Sequence, residues 1–191
     1  MKLSLINFFL LIILFLSSSV YAKNYIEKYK ISVSGINIGN LDWSLAVKDE
    51  SYISKIYLKS SGILSAIYKF EGEYTSKGVF INNLFEAKEY KQYWNTKKKT
   101  KIVEMSFNDY LNRLEQKPDE KEHPRTQIFE LYKYYDPITS FLNILIGNEL
   151  AKTIDGRRTY IMKRLNDQTN NEYLIEISDY KNIWADHKRN D

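Results

Sequence analysis

Leu41-Asp42-Trp43-Ser44-Leu45-Ala46-Val47, then Lys48-Asp49-Glu50-Ser51, then Tyr52-Ile53-Ser54-Lys55-Ile56-Tyr57-Leu58-Lys59-Ser60, is the stretch that decides the fold. Leu41, Trp43, Leu45 and Val47 alternate with Asp42, Ser44 and Ala46. A period of two puts the apolar set on one face of a strand. Lys48 to Ser51 is a polar turn, and alternation resumes through Ile56 and Leu58, so the two runs read as a β-hairpin.

Working outward, residues 25–33 alternate with Tyr29, Ile31 and Val33 on one face, which predicts a half-buried strand before a turn or bulge at 35–39. Residues 63–68 lose the alternation and fit one helical turn. Further strands are expected over 70–76, ending at a Lys77-Gly78 turn, over 84–93 and 100–107, and over 110–114 after a turn at Asn108 and Asp109. Short strands at this spacing predict an antiparallel meander. The segment 116–125, with Pro118, Pro124, dense charge and His123, reads as a loop.

Beyond the loop, Asp136 is a suitable N-cap, Pro137 suits the first helical position, and Ile138, Phe141, Leu142, Leu145 and Ile146 recur at helical spacing before Gly147. Three turns with one apolar stripe are not stable alone, so this helix must pack on the sheet. Asp155-Gly156 marks a turn, followed by strands over 159–165 and 172–177 around a polar turn at 166–171. The fold class is therefore mainly β and antiparallel, a strongly curved sheet packed around one amphipathic helix.

At the N-terminus, Lys2, an apolar run over 3–16 and the small residues before Ala22 have the form of a secretory signal, cleaved after residue 22. The single domain is then 23–191, and no second apolar run of spanning length follows. The 191 residues are 43% hydrophobic and 15% aromatic with net charge +4, 7 glycines and 3 prolines, which excludes a disordered or collagen-like chain. The absence of cysteine excludes disulfides, thiolate metal sites and thiol catalysis.

No catalytic set stands out. His123 and His187 sit in charged segments without ligand spacing, so no metal and no cofactor is expected, and there is no G-x-S-x-G, P-loop or dinucleotide fingerprint. Glu86, Glu104 and Glu176 alternate with apolar strand residues and so face solvent, although a carboxylate pair in a cleft would permit glycan or cell-wall hydrolysis. Lys97, Lys98, Lys99 and Lys101 near Tyr93 and Trp94 form the most basic patch; export argues against nucleic acid as its partner and leaves a solvated hairpin tip or anionic head groups. Tyr135, Ile138, Phe141, Leu142 and Leu145 either pack as core or line an apolar cavity of acyl-chain type. Arg157 and Arg158 are either solvated in a tight turn or a clamp for a carboxylate or phosphate.

The order of these features, from the 35–39 segment through Ser61-Gly62-Ile63 and Tyr68 to Asp136-Pro137-Ile138-Thr139-Ser140-Phe141-Leu142 and Asp155-Gly156-Arg157-Arg158 with Tyr160, resembles the bacterial exported family known as domain of unknown function 3108. The resemblance spans about 25–180 and implies a periplasmic envelope protein of a Gram-negative bacterium, folded as a half-open barrel around a helix like the lipoprotein carriers, with no established activity. Cysteine and further strands beyond Trp184 are usual in that family and missing here, which implies a truncated C-terminus. The expectation is a non-enzymatic protein that binds a lipid-like amphiphile or an envelope partner. A carboxylate-pair hydrolase and a purely structural envelope component are the alternatives.

Overall fold

The structure is a computed structural model and describes residues 23–120, 123–125, 127–165 and 174–184. The expected signal at 1–22, the turn at 166–171, His187 and the tail at 185–191 lie outside the described residues.

The deciding hairpin forms as read. Strands β2 (Ile36–Lys48) and β3 (Ser51–Ser60) pair antiparallel, with Leu41 opposite Leu58 and Leu45 opposite Ser54. Asp49 and Glu50 take φ of 48° and 62°, the paired positive values of a two-residue turn whose twist matches that of the strands. The same device, Ser34-Gly35, joins β1 (Lys23–Val33) to β2, and Asn82-Asn83 joins β4 (Phe70–Ile81) to β5 (Leu84–Thr96). Strands β6 (Thr100–Phe107) and β7 (Leu111–Lys117) complete a seven-stranded meander in chain order. The short helix α1 (Gly62–Ile67) bridges β3 and β4 where alternation lapses.

Two expectations about this sheet are corrected. Lys77-Gly78 is no turn: β4 runs through it, with a register shift between the two residues. Gly78 is there because a Cβ would stand 1.9 Å from the Glu86 carbonyl oxygen, so it marks a bulge with close backbone approach. Nor is β1 half-buried. It is the edge strand, and Tyr25, Ile26, Tyr29 and Val33 are all exposed.

After β7, Pro118 has no N–H with which to extend the ladder, and the chain leaves the sheet. A 3-10 turn (Ile128–Glu130) leads to helix α2 (Pro137–Leu145). Strands β8 (Leu150–Ile154), β9 (Arg158–Leu165) and β10 (Leu174–Asn182) then pair with one another in the order β10-β9-β8. The strongly curved half-open barrel is thus replaced by two antiparallel sheets, neither closed nor strongly curled. The last strands do not extend the meander because α2 lies against β4 and β5 on one side and β8 and β9 on the other.

That position explains the helix sequence. Ile138 and Leu142 join Leu45, Tyr52, Phe85, Tyr90, Val103, Met105 and Leu111 in the main core, while Ile144 meets Ala151, Tyr160 and Met162 of the small sheet. A helix between two layers buries more than one stripe, so Ile144 is fully buried and Leu145 only half-buried. The C-terminal residues close the end of the core: Ile183 and Trp184 are buried, the Ile183 N–H donates to the Arg157 carbonyl, and Arg125 N–H donates to that of Ile183.

Candidate functional site

The helix begins in a buried polar cluster. Asp136, wholly buried, caps α2: Oδ1 accepts the amides of Ile138 at 2.9 Å and Thr139 at 3.1 Å. Oδ2 accepts the hydroxyls of Ser76 at 2.9 Å and Thr139 at 2.5 Å, and the Tyr52 hydroxyl lies 2.6 Å from Thr139 Oγ1. Burial pushes the Asp136 carboxyl and the Tyr52 phenol up from their ordinary ranges. Four polar side chains satisfying one another beneath a packed helix anchor that helix; no described cleft reaches them.

The cavity-lining candidates fall in the same layer. Ile138 and Leu142 are core residues, Phe141 packs edge-on to Trp43 at 6.2 Å between ring centres, and Tyr135 is held by its backbone to Lys152 and Ile154 of β8. Burial pushes the Tyr135 phenol up to about 12. The described clefts have strand and loop walls and none from α2.

The Asp155-Gly156 turn forms as read, with Asp155 Oδ1 accepting the amides of Arg157 at 2.8 Å and Arg158 at 2.7 Å. The turn is plugged into the sheet: the Gly156 carbonyl accepts from Gln116 Nε2 at 2.9 Å and Trp184 Nε1 at 3.2 Å. Its two arginines diverge. Arg157 is exposed, whereas the Arg158 guanidinium stacks 4.8 Å from the Tyr180 ring centre and donates to its hydroxyl.

On the outer face of the large sheet, away from α2, a trough of about 650 Å³ crosses β3 to β7. Within it Lys77 pairs with Glu89 at 3.2 Å and Lys91 with Glu104 at 2.7 Å, while Arg113 bridges Glu104 and Glu115. The hydrogen bond from Lys91 holds the Glu104 carboxyl below its usual range, which suits a solvated ion pair and not a proton donor. His123 is exposed, and among the described residues no group of three metal-ligating side chains converges.

The inner face carries what the sequence reading did not single out. Tyr29, Leu41, Leu58, Gly72 and Trp94 are successive cross-strand partners, so they form one row on the α2 side of the sheet. They lie towards the end that α2 does not reach: Tyr29 is 47% and Trp94 37% exposed, and Leu41 and Leu58 are half-buried. A cleft of about 140 Å³ continues the row between Ile31, Ile38, Leu58, Tyr68 and Phe70. Phe70 and Trp94 meet edge-on at 5.4 Å. Period-two alternation puts Tyr29, Leu41 and Leu58 on the apolar faces of their strands, but only the tertiary structure shows that the row ends in the exposed rings of Tyr29 and Trp94.

Among the described residues, no helix is long and apolar enough to cross a membrane. Compared with family models, with curated proteins and with solved structures, the chain matches none of them.

Proposed function

We propose that this is a non-enzymatic, exported envelope protein that holds the apolar part of a lipid-like amphiphile on the inner row of its large sheet between Tyr29 and Trp94. The row of Tyr29, Leu41, Leu58 and Trp94, continued by the cleft at Ile31 and Phe70, carries this reading. Apolar side chains facing water on the core side of a sheet mark a binding surface. Burying about six methylenes is worth about 5 kcal/mol before the cost of association, which suits an exchangeable ligand. The leader-like residues 1–22 and the resemblance to an exported family support a periplasmic site of action, and one helix against an open antiparallel sheet supports the lipoprotein-carrier-like form of it.

The test is a titration of the purified chain with a dodecyl amphiphile below its micelle concentration, followed by tryptophan emission. Wild type should saturate, and Leu58→Asp, which sets a carboxylate in the row, should not, with an unchanged far-ultraviolet circular dichroism spectrum. Equal response from the variant would reject the site.

A second reading rests on β1. Eleven residues long, exposed on both faces and, among the described residues, unpaired along its outer side, it can accept a strand from an envelope partner.

A further inference from the structure

One end of the large sheet gathers the Ser34-Gly35 turn, α1 with its connections, and the Lys97-Lys98-Lys99 turn. Its exposed apolar side chains are Val33 at 58%, Ile36 at 53%, Ile67 at 77% and Tyr68 at 47%. The pieces are joined: Lys97 Nζ donates to the Ala66 carbonyl of α1 at 3.5 Å, and the Ser61 amide donates to that of Ile38 at 3.1 Å. The segments 61–69 and 97–101 contain Lys69, Lys97, Lys98, Lys99 and Lys101 and no acid, and among the described residues no carboxylate bridges Lys69, Lys97, Lys98 or Lys99. Lysines outnumber the acids that stand towards this end, Glu71 of β4 and Asp119 and Glu120 after β7, whereas the turns at the opposite end hold Asp49, Glu50 and Asp109.

We infer that this basic, apolar-tipped end docks on an anionic lipid bilayer, with Ile67 and Tyr68 entering the head-group layer and the lysines against lipid phosphates. Charge complementarity selects an anionic surface, and an aliphatic side chain as exposed as Ile67 gains by leaving water for acyl chains, a gain that a nucleic acid groove does not offer. The end adjoins the apolar row through Phe70 and Trp94, so the inference deepens the proposed amphiphile binding: the row would open at the bilayer it serves.

Co-sedimentation of the full chain with vesicles of phosphatidylcholine, and with vesicles of equimolar phosphatidylcholine and phosphatidylglycerol, tests it. Binding should favour the mixed vesicles and fall at about 0.5 M salt. The triple variant Lys97→Ser, Lys98→Ser, Lys99→Ser should lose about a hundredfold in partitioning at low salt, about fivefold per lysine. Ile67→Ser should lose roughly three- to tenfold at either salt concentration. All variants share the apolar run 3–16, so differences between them report the sheet end alone. Equal binding to both vesicle types, or an unaffected triple variant, would overturn the inference, as would preference for polyglutamate over vesicles, which would assign the end to an acidic protein. The triple variant should still bind the dodecyl amphiphile and Leu58→Asp should still bind vesicles, so failure of docking and failure of the row are separable.

Discussion

Asn143 of α2 and Phe85 of β5 are joined by two hydrogen bonds, the Phe85 amide donating to Asn143 Oδ1 at 2.9 Å and Asn143 Nδ2 donating to the Phe85 carbonyl at 2.8 Å. The side chain thus pairs with a strand backbone as a neighbouring strand would, and it does so fully buried. Asn143→Leu keeps similar bulk but strands a buried N–H and C=O, and the expected cost is about 2–4 kcal/mol in urea unfolding. A loss under about 1 kcal/mol would mean that the helix is held by apolar contact alone.

Asp136→Ala removes the cap and two hydroxyl partners at once, and should cost about 2–4 kcal/mol, with the midpoint of urea unfolding as the readout. Asp136→Asn separates charge from shape. Burial raises the folded pKa of Asp136 above its ordinary value of 3.8, so its contribution to stability is full below that pH and is lost as pH rises through the raised value. The stability of wild type relative to Asp136→Asn should therefore fall on going from about pH 4 to about pH 7. A constant difference would show that the carboxyl titrates alike in the folded and unfolded chains.

Two glycines with different tasks should respond differently to alanine. A Cβ on Gly78 would stand 1.9 Å from the Glu86 carbonyl oxygen and 2.7 Å from the Tyr52 ring, so Gly78→Ala should cost about 3 kcal/mol or more. Gly35, at φ 78° with nothing within 4 Å, should cost about 1 kcal/mol through backbone strain alone. Thermal unfolding of the pair checks the order, and equal losses would contradict the bulge.

Ile26, 73% exposed on edge strand β1, offers an apolar side chain beside backbone that no described strand pairs on its outer side. Ile26→Lys should leave stability within about 0.5 kcal/mol and suppress self-association, read by light scattering across a concentration series. Unchanged scattering would show that the edge does not self-associate.

Local signals were legible wherever they set structure by themselves. Period-two alternation located the strands, and Asp136-Pro137 and Asp155-Gly156 located the helix start and the turn into β9. What failed depended on neighbours distant in sequence. Gly78 reads as turn punctuation until the Glu86 carbonyl is beside it. Strand β8 is five residues long and carries no sequence signal of its own, since Leu150 to Ile154 is set by pairing with β9 and by Tyr135. The helix stripe reads as one-sided in sequence because a single period cannot reveal a second layer; Ile144 and the buried Thr139, Ser140 and Asn143 show that it has one. The exposed inner row was hidden for the same reason, as alternation gives the face of a strand and not what lies over it.

Heteronuclear NMR of the chain titrated with the dodecyl amphiphile tests the binding reading most directly. Saturable shifts are expected at Tyr29, Leu41 and Leu58 and at the Trp94 indole N–H, with little change at Ile138 and Leu142 inside the core. Shifts centred on the outer trough at Lys55 and Glu104, or none below the micelle concentration, would contradict it.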